Sequence, residues 1–220
     1  YDPNEPGHSD HLKAVFGDCE PSIVVTNRVS AAAVRTYFSA QRERPRVISL
    51  DALPDSLASS WTPVEGTAED TAFLQYTSGS TALPKGVQVS HGNLVANEQL
   101  IRQGFGIDLN PDDVIVSWLP LYHDMGLIGG LLQPIFSGVP CVLMSPGYFL
   151  ARPQRWLQAI SEYGGTISGG PDFAYRLCSE RVSEASLAGL DLSRWRVAYS
   201  GSEPIRQDSL ERFAGKFAAC

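Results

Sequence analysis

The run Gln75-Tyr-Thr-Ser-Gly-Ser-Thr-Ala-Leu-Pro-Lys-Gly-Val87 stands between two apolar segments. Residues 73–76 read as a buried strand, and residues 87–89 as the start of another. Between them Thr77, Ser78, Ser80 and Thr81 bring hydroxyl donors, and Gly79 lets backbone approach a ligand closely. Lys85 adds one positive charge, and Pro84 stiffens the chain beside it. Hydroxyls, small residues and one lysine in a strand–loop–strand setting suit a polyphosphate. The loop is not a Walker A motif: Pro84 occupies the place of its second glycine, and Gly86 rather than Ser or Thr follows the lysine.

Outward from the loop, short apolar runs alternate with amphipathic stretches, which predicts an α/β fold. Strands are expected over residues 22–26, 47–50, 73–76, 114–118, 140–143, 166–168 and 195–199. Helices are expected over 9–16, 30–40, 93–103, 125–136, 153–163, 173–182 and 207–217. Pro153 and Pro171 suit helix starts, where a missing N–H costs nothing, and Gly104 and Gly138 suit helix stops. Residues 51–70, rich in Pro, Ser, Ala and Asp without periodicity, read as an exposed connection. The expected division is residues 1–70 for part of a first α/β lobe with that connection, and residues 71–220 for the phosphate loop and part of a second.

Three further turns follow expected strands, and open α/β sheets bind ligands at the carboxyl ends of their strands. In Trp118-Leu-Pro-Leu-Tyr-His-Asp-Met-Gly-Leu127, His123 is either a site residue or a satisfied core histidine. Asp124 is either a site residue or an N-cap for the helix that follows. In Ser200-Gly201-Ser202-Glu203-Pro204, small residues would let a flat ring approach the backbone, while a Glu near a helix start explains itself locally. Gly169-Gly170-Pro171-Asp172-Phe173 is a further turn of this kind, in which a plain core position for Phe173 is one reading.

Composition excludes several classes. A net charge of −7 and a pI near 5.0 disfavour a nucleic-acid groove, which needs clustered Lys and Arg. Arg42, Arg44 and Arg46 are interrupted by Glu43 and Pro45 and read as a solvated loop. Cys19, Cys141, Cys178 and Cys220 form no CxxC pair; Cys141 and Cys178 read as small buried hydrophobes, and a cytoplasmic setting is expected. No apolar stretch approaches the ~20 residues that cross a bilayer, and no signal-peptide pattern opens the chain. His8 and His11 lack the partners of a metal site. Neither a GxSxG elbow nor a GxGxxG fingerprint occurs.

The loop resembles the signature of the adenylate-forming superfamily, with Ala82 where that family has glycine. Leu74-Gln75-Tyr76, Tyr122-His-Asp-Met-Gly-Leu127, Phe149-Leu-Ala-Arg-Pro-Gln-Arg-Trp156 and Asp191-Leu-Ser-Arg-Trp195 are similar to its fatty acyl-AMP ligase branch. The resemblance implies three-layer α/β lobes with mainly parallel sheets. It also implies ATP and Mg²⁺, a fatty acid substrate, and an acyl carrier protein as acceptor. Thr77, Ser78, Gly79, Ser80, Thr81 and Lys85 would hold phosphates, with Ser80 and Thr81 in direct contact. His123 would sit near the carboxylate and α-phosphate, and Ser200, Gly201, Ser202, Glu203 and Pro204 beside the adenine and acyl site. Gly170, Pro171 and Phe173 would border the acyl tunnel, and no residue is assigned to metal. The same resemblance implies segments not found here: an adenine-contacting Tyr-Gly-x-x-Glu, a ribose-binding Asp and a C-terminal domain with a catalytic lysine. The expectation is a truncated adenylation domain, inactive in isolation. Coenzyme A as acceptor, or a noncatalytic nucleotide- or acyl-binding module, are the alternatives.

Overall fold

The computed structural model describes residues 8–39, 44–77, 84–107, 110 and 112–220. They fall into two compact units, Tyr1–Asn93 and Leu94–Cys220.

The first unit runs α1 (His8–Cys19), β1 (Ile23–Thr26), α2 (Arg28–Ser39), β2 (Arg46–Ser49), β3 (Thr71–Thr77) and β4 (Lys85–Ser90), and the first residues of α3 (His91–Gly104). β1 and β2 pair in parallel, Ile23 opposite Arg46. α2 starts where Asn27 accepts the Ser30 N–H at 2.8 Å and Asp51 accepts the Arg28 N–H at 2.9 Å. Side-chain acceptors there satisfy donors that have no intrahelical partner. α2 buries Ala31 and Phe38, and Phe38 meets Phe16 of α1 edge-on at 4.8 Å. The stretch from Asp51 to Asp70 is exposed throughout, as its composition predicts, and holds two short 3₁₀ turns.

β3 and β4 form an antiparallel hairpin of their own, with a register shift between Thr71 and Phe73. The expectation of a buried strand over 73–76 is corrected here. A two-stranded ribbon covers one face at most, and Leu74 is exposed while Phe73 and Tyr76 are half-buried. The contacts group this hairpin with the first unit, whereas the division at residue 70 places it with the second lobe. The physical link is Tyr76, whose hydroxyl reaches Asp18 of α1.

The second unit contains the rest of α3, β5 (Ile115–Ser117), a π-helix (Met125–Leu132), α4 (Gln133–Ser137), β6 (Cys141–Leu143) and α5 (Pro146–Ala151). It continues with α6 (Gln154–Tyr163), β7 (Ile167–Gly170), α7 (Asp172–Arg181), β8 (Val197–Ser200) and α8 (Gln207–Phe217). The four strands make one parallel sheet in the order β6-β5-β7-β8. Successive strand residues face opposite sides. On one side Ser117 lies beneath Gly130 of the π-helix, where a Cβ would stand 2.5 Å from its Oγ. On the other, Ser168 accepts the Trp156 indole N–H at 2.7 Å and donates to Val116 O at 2.6 Å. Helices on both faces explain why every residue of β5 and β7 is buried. The main core lies on the α6–α7 side around Trp118, Phe149, Trp156, Tyr175 and Phe213.

The amino ends of the strands are locked by polar pairs. Buried Asp113 accepts from Thr166 Oγ1 at 2.7 Å and from the guanidinium of Arg196. The opposite edge of the sheet carries the three turns singled out from sequence. One helix was expected over residues 125–136; the structure has a π-helix followed by α4, with Pro134 in the first turn of α4. Cys178 is fully buried and its thiol is pushed up to about 12 by desolvation. Cys141 is half-buried rather than buried, because β6 is an edge strand; its thiol donates to Gly130 O at 3.3 Å.

Glu98 of α3 is buried, and burial pushes its carboxyl from 4.5 up to about 7. Gln133, its amide nitrogen turned toward Glu98, donates to the Glu98 backbone oxygen at 3.0 Å and to the carboxylate. A carboxyl raised by folding favours the neutral form, so its contribution is full below pH 4.5 and is lost as pH rises through about 7. The urea midpoint is expected to fall across that window, and Glu98→Gln should flatten the fall. An unchanged slope in the variant would remove Glu98 as its source.

Candidate functional site

Because β5, β7 and β8 are parallel neighbours, the turns that leave their carboxyl ends meet at one edge of the sheet. The turn after β5 doubles back tightly: His123 N donates to Pro120 O at 3.1 Å, and the Leu127 N–H reaches His123 O at 2.8 Å. Gly126 permits this, since a Cβ there would fall 2.2 Å from Pro120 O. The π-helix that follows is a rare form that concentrates at functional sites.

His123 is not a core histidine, because half of its side chain is exposed. Its Nδ1 lies 2.6 Å from Asp124 Oδ1, and the same carboxylate oxygen accepts the Met125 N–H at 2.7 Å. Asp124 therefore caps the π-helix and orients the imidazole at once. With Nδ1 turned to Asp124, Nε2 is the ring nitrogen left for a ligand.

The turns after β7 and β8 are bound to each other. Glu203 Oε1 accepts the Phe173 N–H at 2.7 Å, so a residue of the β8 turn caps α7. Asp172, buried in the first turn of α7, accepts the Arg206 N–H and the Ser209 hydroxyl, each at 2.9 Å, and so caps α8. Glu203 thus serves the helix of the neighbouring turn, not the one that follows it. Sequence reading missed Asp172, although a carboxylate right after a helix-starting proline is a recognisable signal. Asp172→Ala removes a buried carboxylate and two bonds to it, and should cost about 2 kcal/mol. Urea unfolding of Asp172→Ala beside Glu203→Ala, exposed and worth less, checks the order.

Close backbone contacts tighten the edge further. At Gly170 a Cβ would stand 2.6 Å from Trp118 Cζ2, and at Gly169 2.1 Å from Tyr199 O. Phe173 meets Trp118 edge-on at 5.9 Å and packs on the main core, so its core role is visible directly. Pro171 precedes α7 in an extended conformation. Ser202 adopts a left-handed φ of 68°, a strained choice for a non-glycine residue, and its Oγ lies 3.0 Å from Met125 Sδ. Ser200, the register partner of Gly170, buries its hydroxyl. That hydroxyl and the Trp118 indole N–H have no hydrogen-bond partner among the described residues. Gly201 lies near Met125, while Glu203 and Pro204 are exposed. The structure therefore gathers His123, Gly170, Pro171, Phe173, Ser200, Gly201, Ser202, Glu203 and Pro204 along one sheet edge. It adds Trp118, Met125 and Asp172 to them.

The phosphate-loop candidates belong to the first unit. Thr77 and Lys85 are directly opposed register partners at the open end of the β3–β4 hairpin, and both are exposed. Opposed partners share a face, so a hydroxyl and an ammonium stand side by side there. Ser78, Gly79, Ser80 and Thr81 lie outside the described residues. Among the described residues no three His, Cys, Asp or Glu side chains converge where a metal ion could be held. No helix among the described residues is long and apolar enough to cross a membrane.

Residues 6–220 match the family model described as AMP-binding enzyme. A medium-chain fatty acid–acyl carrier protein ligase of Moorena producens is 40% identical over 94% of this chain and 35% of its own length. A corresponding ligase of Teredinibacter turnerae is 51% identical over 69% of this chain and 23% of its own length. The chain thus spans about a third or less of these relatives. Among solved structures, a fatty acyl-adenylate ligase from Legionella pneumophila, in complex with acyl adenylate and pyrophosphate, is 41% identical. It superposes with a TM-score of 0.85 over 95% of this chain and 36% of that one.

Proposed function

Since the chain belongs to the AMP-binding enzyme family, we propose that it contributes to the ATP-dependent activation of a fatty acid as its acyl-adenylate, for transfer to an acyl carrier protein. The observation that carries this reading is the Legionella pneumophila ligase, whose fold this chain shares at 41% identity and which is complexed with acyl adenylate and pyrophosphate. The carrier protein is proposed from the Moorena producens and Teredinibacter turnerae ligases, which take one as acceptor.

In the proposed reaction a carboxylate oxygen attacks the α-phosphorus of ATP, the α–β anhydride bond breaks, and pyrophosphate leaves. The carboxylate is already a nucleophile, so no general base is required. What the protein must supply is alignment and compensation of charge on the phosphates. Thr77, Ser78, Gly79, Ser80, Thr81 and Lys85 are assigned to the phosphates, and ATP is proposed to enter with Mg²⁺ upon them. His123, oriented through Nδ1 by Asp124, is assigned to the carboxylate and α-phosphate through Nε2. Ser200, Gly201, Ser202, Glu203 and Pro204 border the adenine, with Glu203 holding the turn by its bond to α7. Gly170, Pro171 and Phe173 border the acyl chain. The unpartnered Trp118 N–H and Ser200 hydroxyl beside Gly170 supply polar capacity at the same edge. A carrier thiol then attacks the acyl carbon and AMP departs.

Oxygen labelling tests the sequence of bonds. A fatty acid labelled with ¹⁸O in its carboxylate is supplied with ATP, Mg²⁺ and a phosphopantetheinylated carrier protein. Adenylation puts one labelled oxygen on AMP and leaves a thioester on the carrier. Release of ADP, or unlabelled AMP, would contradict acyl-adenylate formation. A thioester formed on coenzyme A but not on the carrier would replace the proposed acceptor.

A further inference from the structure

The charged end of the β3–β4 hairpin is tied down from behind. Tyr76 immediately precedes Thr77, and its register partner Gly86 immediately follows Lys85. Neighbouring residues of a strand face opposite sides, so the Tyr76–Gly86 pair lies on the back of the ribbon when Thr77 and Lys85 face the front. The Tyr76 ring lies across Gly86: a Cβ at residue 86 would stand 3.0 Å from Cζ, 3.1 Å from Oη and 3.2 Å from Cε1. A side chain at residue 86 would crowd the ring in that place. Its hydroxyl then donates to Asp18 Oδ2 at 2.6 Å, a contact between residues 58 apart in sequence. That bond, first among its causes, holds the Tyr76 phenol well above the usual tyrosine range.

Asp18 itself breaks a local rule. It stands in the last turn of α1, which carries no basic residue, and a carboxylate at a helix carboxyl end opposes the macrodipole. A local conflict of this kind is expected where a residue serves a contact elsewhere. Here the contact is the phenol of Tyr76.

We propose that Tyr76 is a positioning residue, whose hydroxyl, anchored on Asp18, holds Thr77 and Lys85 at the spacing in which the hairpin mouth receives the phosphates of a nucleotide. This rests on the phosphate-loop reading above. Tyr76 acts through its neighbours from the back of the ribbon and touches no ligand. Gly86 is the second half of the device: a methyl group there would force the ring to give by a few tenths of an ångström, and the hydroxyl that meets Asp18 is among the atoms that must move.

The test uses the 220-residue chain, hydrogen–deuterium exchange and calorimetric titration with MgATP. Tyr76→Phe, Asp18→Ala and Gly86→Ala should each speed amide exchange at the mouth, over residues 85–87, about tenfold, and leave Ser90 at the far end unchanged. Each should weaken ATP binding by a similar factor without moving the thermal midpoint. The double variant Tyr76→Phe/Asp18→Ala should be no worse than either single change, since both remove one bond. Ser80→Ala/Thr81→Ala is the control for the phosphate reading. If it weakens ATP binding while Tyr76→Phe changes neither exchange nor affinity, the positioning role is wrong and the phosphate reading stands. If the control leaves ATP binding unchanged, the phosphate reading fails. Exchange at the mouth then decides alone whether the anchor exists.

Discussion

In the protein extended to the length of its relatives, replacing Ser80 and Thr81 together with Ala is expected to lower fatty-acid-dependent ATP–pyrophosphate exchange by about 10² to 10³ and leave the thermal midpoint where it was. Removal of one preorganised donor from developing charge costs about a factor of that size. Both hydroxyls belong to the stretch between Thr77 and Lys85 in the sequence, and neither contributes to the aromatic core cluster. The loss should therefore be kinetic. ATP use that is unchanged in the double variant would refute the assignment of the loop to phosphates. A lowered midpoint would show that the hydroxyls hold the hairpin instead.

The second large effect is on stability. Trp156 is fully buried and meets Trp195 at 5.3 Å, Tyr175 at 5.5 Å, Phe149 at 5.7 Å and Trp118 at 6.1 Å, mostly edge-on. Its indole N–H also fills the acceptor of buried Ser168. Trp156→Ala empties the centre of this cluster and should cost about 3–5 kcal/mol. Against a native stability of about 5–15 kcal/mol, that is enough to unfold much of the second unit at moderate temperature. Near-ultraviolet circular dichroism through a urea titration checks it. A loss under 1 kcal/mol would mean that the neighbouring rings close over the space. The turns at the sheet edge depend on this core directly, since Trp118 and Phe173 touch it and the site at once.

Much of the fold was legible because strands and helices write their burial into the period of the sequence. β5, β6, β7 and β8 fall where apolar runs predict them, and α6, α7 and α8 follow the amphipathic stretches. What was not legible depends on contacts distant in sequence. The π-helix packs closely on Pro120 and Ser117 at Gly126 and Gly130, and nothing in Met-Gly-Leu-Ile-Gly-Gly-Leu-Leu announces those neighbours. The exchange of caps between Asp172 and Glu203 joins turns about thirty residues apart, so each acid reads locally as an ordinary helix-start residue. α5 is different, because its signals were present. Ser145 accepts the Tyr148 N–H at 3.2 Å and Pro146 takes the first helical position, yet Pro-Gly reads as a turn.

The candidate residues divide in the same way. His123 and the Ser200–Gly201–Ser202 turn were singled out because a strand precedes them and a helix follows, a relation that survives in the parallel sheet. Trp118, Met125 and Asp172 escaped because each acts through a neighbour on another strand end. The hairpin was marked by its hydroxyls and lysine, while the anchor behind it joins Tyr76 to a helix 58 residues earlier.

Detection of the intermediate tests the central claim most directly. The folded chain, its integrity verified by circular dichroism, is incubated with ATP, Mg²⁺ and a mixture of medium- and long-chain fatty acids. The quenched mixture is then read by mass spectrometry. The same assay is run on the protein extended to the length of its relatives. Acyl-adenylate in the extended protein, abolished by Ser80→Ala/Thr81→Ala, is the predicted result. Folded extended protein that yields ADP, or no adenylate with any acid, would contradict the account.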